Sequence, residues 1–75
     1  MTKSFEYLSV KELAKLLGWS YGGTRKRVRS GAIKHEELMG RIVIFPEHIR
    51  ESFPEAIAEK ILEAAREQGL LNKVE

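Results

Sequence analysis

The sequence predicts a small α+β fold, mostly helical, and three observations carry that prediction. Between Ser9 and Gly31, two short helical patterns flank a tight turn. Ile42-Val43-Ile44-Phe45 is a β-branched and aromatic run that stops at Pro46, as a strand does. From Ile57 to Ala65, apolar residues return at helical spacing.

The elements follow in order. Met1 to Tyr7 reads as a loose lead-in, with Phe5 and Tyr7 available to pack onto the body. Ser9 and Glu12 have the S-x-x-E spacing of a capping box, and Leu8 and Leu13 are placed to form a hydrophobic staple. A first helix from about Val10 to Leu17 then faces inward through Leu13, Leu16 and Leu17, with Lys11, Glu12 and Lys15 outside. Gly18 stops it, Trp19 is an apolar plug for the core, and Ser20 can cap a second helix.

That second helix carries Arg25, Lys26, Arg27 and Arg29 and ends at Ser30-Gly31. Gly22 and Gly23 sit in its first turn, each unfavourable by up to about 1 kcal/mol relative to alanine. Two readings stand side by side. Bare backbone there lets amide N–H groups approach a phosphate closely. Alternatively, Tyr21 to Gly23 extends the turn and Thr24 is the real cap.

A hairpin turning around Met39-Gly40 would pair Ile42 to Phe45 with residues near Ile33 to Leu38, placing Arg41 at or near its tip. Pro46 suits the first turn of a short helix over Glu47 to Phe53, with Ile49 and Phe53 as its apolar pair. Ser52 and Glu55 repeat the S-x-x-E spacing with Pro54 between them, so a last helix is expected from about Pro54 to Gln68. Leu70, Leu71 and Val74 fall in a tail expected to fray.

Composition narrows the function. Seventy-five residues suffice for one domain with a small core. There is no cysteine, so neither a disulfide framework nor a thiolate metal site is available. No apolar run reaches the length of about 20 residues that spans a bilayer, and no signal-peptide core is visible, which places the chain in the cytoplasm and off the membrane. From Met1 to Phe53 ten cationic residues stand against six acidic ones, net +4; from Pro54 onward three stand against five, net −2. A basic body suggests a polyanion partner, and the acidic end a different job.

No catalytic set presents itself. The chain has no aspartate, His35 and His48 lack metal-ligand spacing, and Glu36 and Glu37 point to opposite faces of a strand. The expectation is a non-enzyme without metal or cofactor. What remains is the basic second helix after a glycine-containing turn, the pattern of a DNA-reading helix-turn-helix. Arginine suits bidentate guanine contact, and lysine and arginine both suit phosphate. The stripe Ile57, Ile61, Leu62 and Ala65 has two readings: packing onto the small core, or binding a second copy or partner protein as a helix in a groove. Protein contact is favoured, because the acidic outer face of that helix would repel DNA.

With these elements in place, YLSVKELAKLLGWSYGGTRKRVRSGAIK followed by GRIVIFPEHIRESF resembles the excisionase-type branch of the MerR-like winged helix-turn-helix DNA-binding domains. The shared habit is a capped first helix ending in Leu-Gly, an apolar-Ser turn, a recognition helix closing on Arg-Ser-Gly, a hairpin wing with a Gly-Arg tip and a Pro-led helix. The resemblance covers about Tyr7 to Phe53. It implies a winged helix-turn-helix over residues 1–53, with 54–75 as an extra C-terminal helix and tail, and a second helix entering the major groove of double-stranded DNA. The DNA-contacting set is then Ser20, Tyr21, Gly22, Thr24, Arg25, Lys26 and Arg29 on that helix, with Lys34 and Arg41 on the wing.

Two positions depart from the family habit: Thr24 and Arg27 stand where apolar residues are usual, leaving Val28 and Trp19 to anchor the helix. Either Arg27 lays its methylenes on Trp19 and snorkels, or the helix is turned from the usual pose. The family's jobs include excisionases, which bind repeated sites cooperatively, bend DNA and bias an integrase toward excision, and small phage or mobile-element repressors. The excisionase, or recombination directionality factor, is the closer resemblance. A protein-interaction module working through the last helix is the alternative of another class.

Overall fold

The computed structural model of the protein describes residues 5–74. Residues 1–4, the start of the expected lead-in, and the side chain of Phe5 lie outside that description. In chain order come β1 (Phe5–Tyr7), α1 (Val10–Leu17), α2 (Tyr21–Arg29), β2 (Glu36–Leu38), β3 (Arg41–Val43), α3 (Pro46–Ser52), α4 (Glu55–Glu67) and β4 (Asn72–Val74). This is a winged helix-turn-helix with an extra C-terminal helix.

Local chemistry sets most boundaries. Ser9 Oγ accepts the Glu12 N–H (3.2 Å) while Glu12 Oε1 accepts the Ser9 N–H (3.1 Å), so both arms of the capping box are made. Leu8 and Leu13, the staple pair, are both fully buried. The turn after α1 closes with the Trp19 N–H on Ala14 O at 3.0 Å. The wing is the two-residue hairpin expected around Met39-Gly40, with Leu38 opposite Arg41, Glu37 opposite Ile42 and Glu36 opposite Val43. Both central residues have positive φ, 52° at Met39 and 80° at Gly40, which the natural twist of a tight hairpin requires. Just beyond β3, Ile44 exchanges two backbone hydrogen bonds with Leu8 (2.8 and 2.9 Å), tying the wing to the start of α1.

Three expectations are corrected by the fold. First, Phe5–Tyr7 and the tail from Leu70 to Val74 are not loose. β1 pairs antiparallel with β4 in the register Phe5–Val74, Glu6–Lys73 and Tyr7–Asn72, and Leu70 and Leu71 pack against the core. Asn72 Nδ2 donates to Glu12 Oε1 at 2.7 Å, fastening the tail to the α1 cap. Second, Ser52 does not cap the last helix. Its Oγ accepts the Lys34 N–H at 2.8 Å, tying the loop after α2 to the end of α3, and α4 starts at Glu55 behind Pro54. Third, the C-terminal stripe is core. Ile61, Leu62 and Ala65 are buried together with Ala58, and only Ile57, 46% exposed, faces outward. The protein-contact reading of Ile61, Leu62 and Ala65 therefore fails. A chain this small needs that apolar area for its own core.

Ile49 from α3, Val28 from α2, and Ile33 complete the interior around Leu8, Leu13 and Leu62. Among the described residues no helix is long and apolar enough to cross a membrane.

Candidate nucleic-acid interface

The turn and α2 are fixed by a few short bonds. Ser20 is the N-cap, its Oγ accepting the Gly23 N–H at 3.1 Å, and α2 begins at Tyr21. The reading in which Thr24 caps the helix is thereby overturned. Thr24 lies one turn in and is fully buried, its Oγ1 donating to Ser20 O at 2.8 Å. Back-bonding to the carbonyl four residues earlier satisfies the hydroxyl, so threonine can stand where an apolar residue would. A fully buried side chain reaches no groove, and Thr24 leaves the expected DNA-contacting set.

Thr24 and Val28 are the two buried residues of α2, four apart, so they define its inward face. The 3.6-residue period then turns Gly22, Lys26 and Arg29 directly outward, with Tyr21 and Arg25 along one flank and Arg27 on the other. Arg27 is engaged within the chain. Its guanidinium lies 4.4 Å from the centre of the Trp19 ring, and Trp19 in turn sits 6.4 Å from Phe53. Trp19 is 37% exposed, so it is a half-covered edge of the core rather than the expected plug. Arg27 shields that edge by a cation–π contact and keeps its charge in water.

The wing faces the Tyr21–Arg25 flank. An open groove of about 920 Å³ is lined by Tyr21 and Arg25 of α2, Gly40 and Arg41 of the wing, and Lys11 and Glu12 of α1. Three expected DNA-contacting residues, Tyr21, Arg25 and Arg41, therefore share one channel, and Lys11 joins them without having been singled out. Its signal in the sequence was weak: an exposed lysine on the first turn of a helix looks like any solvated residue. Lys34 is not brought there. Its ammonium lies 3.4 Å from Glu51 Oε2, which offsets its charge.

Among the described residues, Arg25, Lys26, Arg29 and Arg41 are exposed and enter no ion pair. Their charge is uncompensated by the fold. Gly22 is also unexplained by the fold: a Cβ placed there would meet nothing within 4 Å, and its φ is not positive. Gly23 differs, because a Cβ would fall 2.9 Å from Ser20 Oγ and disturb the cap. The two histidines serve local structure. His48 Nδ1 accepts the Phe45 N–H at 3.0 Å, and His35 Nδ1 lies 3.2 Å from Ile33 O.

Comparison with protein-family models, with curated proteins and with solved structures gave no match.

Proposed function

We propose that this chain binds double-stranded DNA sequence-specifically, without catalysis, through α2 and the wing. Within that class we assign it to the excisionases. In that role it would bind repeated sites cooperatively, bend the DNA and direct an integrase toward excision from within the cytoplasm. One observation carries the DNA reading: the outward face of α2 and the facing wing present Arg25, Lys26, Arg29 and Arg41 without acidic partners among the described residues. Lys26 and Arg29, beside the bare backbone of Gly22, are the groove-entering side chains. Arg25 and Arg41, which line one channel, take the phosphates of one strand.

A gel-shift titration on duplex flanking the protein's own gene, with scrambled duplex as control, tests this reading. Several cooperative shifts on the native DNA alone support an excisionase. One specific shift moves the assignment to a small repressor. Equal weak binding to both duplexes removes the DNA reading and returns attention to Ile57, the exposed member of the α4 stripe. If about five phosphates are contacted, log K should fall against log salt with a slope of about −4.5. A flat salt dependence would contradict the electrostatic account.

Gly22 offers a sharper test. Gly22→Ala should raise stability by up to about 1 kcal/mol, as alanine does within a helix. The same change should weaken DNA binding, because the new methyl group stands between the helix start and a phosphate. Thermal unfolding and a binding titration on one preparation read the two effects. Binding that is unchanged or improved would deny Gly22 a role at the interface.

A further inference from the structure

The tip of the wing carries a residue that the fold itself disfavours. Met39 has φ 52°, in the left-handed region where asparagine and glycine are at home, and its side chain is 96% exposed. Leu38 beside it is 40% exposed. An asparagine would make this turn more readily and leave no apolar group in water, so neither the turn nor the core accounts for methionine.

We propose that Met39 is a wedge that the wing inserts into the DNA minor groove, parting a base step. The proposal rests on the DNA-binding reading, and three features of the structure lead to it. Arg25 of α2 and Arg41 of the wing line one channel. When one phosphate strand lies in that channel with α2 in the major groove, the wing tip lies across the strand. The groove across a strand from the major groove is the minor groove. It is about 6 Å wide, too narrow for a helix but open to a single hairpin tip.

Charge on the wing selects the same pose. Glu36 and Glu37, both exposed on β2, repel phosphates and disfavour laying that strand along the backbone. The wing therefore approaches most favourably by its tip, where Arg41 lies close to Met39 and supplies the cation. Finally, an unbranched thioether is flexible and polarisable, suited to an irregular gap between bases. Apolar side chains placed between base steps kink a duplex by about 20–90° toward the major groove.

The test uses a short duplex enriched by the parent protein from a randomised pool. It carries a donor–acceptor pair at its ends and 2-aminopurine placed at each step in turn. With the parent protein, fluorescence should rise at one step and the ends should draw together. Met39→Asn suits the left-handed turn, so it should fold at least as stably and bind within about tenfold of the parent, equivalent to about 1.4 kcal/mol or less. It should lose the fluorescence rise and most of the end-to-end shortening. Met39→Leu, equally apolar and equally unsuited to the turn, should retain both signals.

An asparagine variant that unstacks and bends like the parent overturns the proposal. So does a parent that binds tightly and unstacks no step, in which case the DNA-binding reading stands alone. A parent that enriches no duplex removes both.

Discussion

Charge reversal at two arginines, Arg25→Glu with Arg41→Glu, is expected to lower affinity for the target duplex by at least about a hundredfold while leaving thermal stability almost unchanged. A hydrogen bond to a charged group such as a phosphate is worth about 1.5–3 kcal/mol, so removing two arginines already approaches that loss, and the new carboxylates add repulsion in the channel. The stability half of the expectation follows from position. Both side chains are exposed and enter no ion pair among the described residues, and surface changes of this kind fall within about 0.5 kcal/mol. Replacement by alanine instead of glutamate should make the salt slope shallower by about two, one for each phosphate no longer neutralised.

The control is a second double reversal with the same change in net charge, Lys60→Glu with Arg66→Glu. Both residues lie on α4, which packs against α3 and α1. If affinity follows net charge alone, the two double variants will bind equally poorly. If the channel between α2 and the wing holds the DNA, only the first will fail. A parent-like affinity for Arg25→Glu with Arg41→Glu would remove the channel from the interface.

The features legible in the sequence were those governed by chemistry within a few residues. Ser9 and Glu12 bond reciprocally across one turn, Ser20 caps α2, Met39-Gly40 makes the hairpin, and Pro46 opens α3. The pairing of β1 with β4 left no such trace. Three-residue strands have too few positions for alternation to show, and their partner lies at the far end of the chain. Ser52 shows a local rule losing to a distant one: the Lys34 N–H, 18 residues away, took the hydroxyl that the S-x-x-E spacing assigned to α4.

The candidate site was legible in its charges and less so in its faces. The set that the family resemblance implies placed Thr24 beside Arg25 and Lys26 as if all three faced DNA. The i, i+4 pair of Thr24 and Val28 is what separates inside from outside, and it was hidden because threonine reads as polar. The departure at Arg27 resolves through Trp19: the guanidinium lies over the ring, so the position remains part of the core's cover. Thr24 and Arg27 thus keep α2 seated by different means, and the outward face remains Gly22, Lys26 and Arg29.

The second large effect concerns the end of the chain that looked separable. Leu62→Ala should lower the midpoint of thermal unfolding by at least about 10 °C, whereas Ile57→Glu should barely move it. Leu62 is fully buried, and truncating such a leucine costs about 2–5 kcal/mol through reduced transfer energy and the cavity left behind. At about 0.05–0.15 kcal/mol per residue, a 75-residue chain has about 4–11 kcal/mol in all, so one core methyl cluster is a large share of its stability. In a domain of this size each kcal/mol corresponds to about 4–8 °C. Ile57, 46% exposed on the same helix, has little burial to lose. The pair also bears on function. If α4 serves DNA binding only by holding the core, Ile57→Glu will bind DNA like the parent, and Leu62→Ala will do so only at temperatures where it remains folded. A Leu62→Ala variant as stable as the parent would show that α4 is detachable after all. Failure of Ile57→Glu in cooperative binding, with single-site affinity intact, would assign the exposed edge of α4 to contact between copies on DNA.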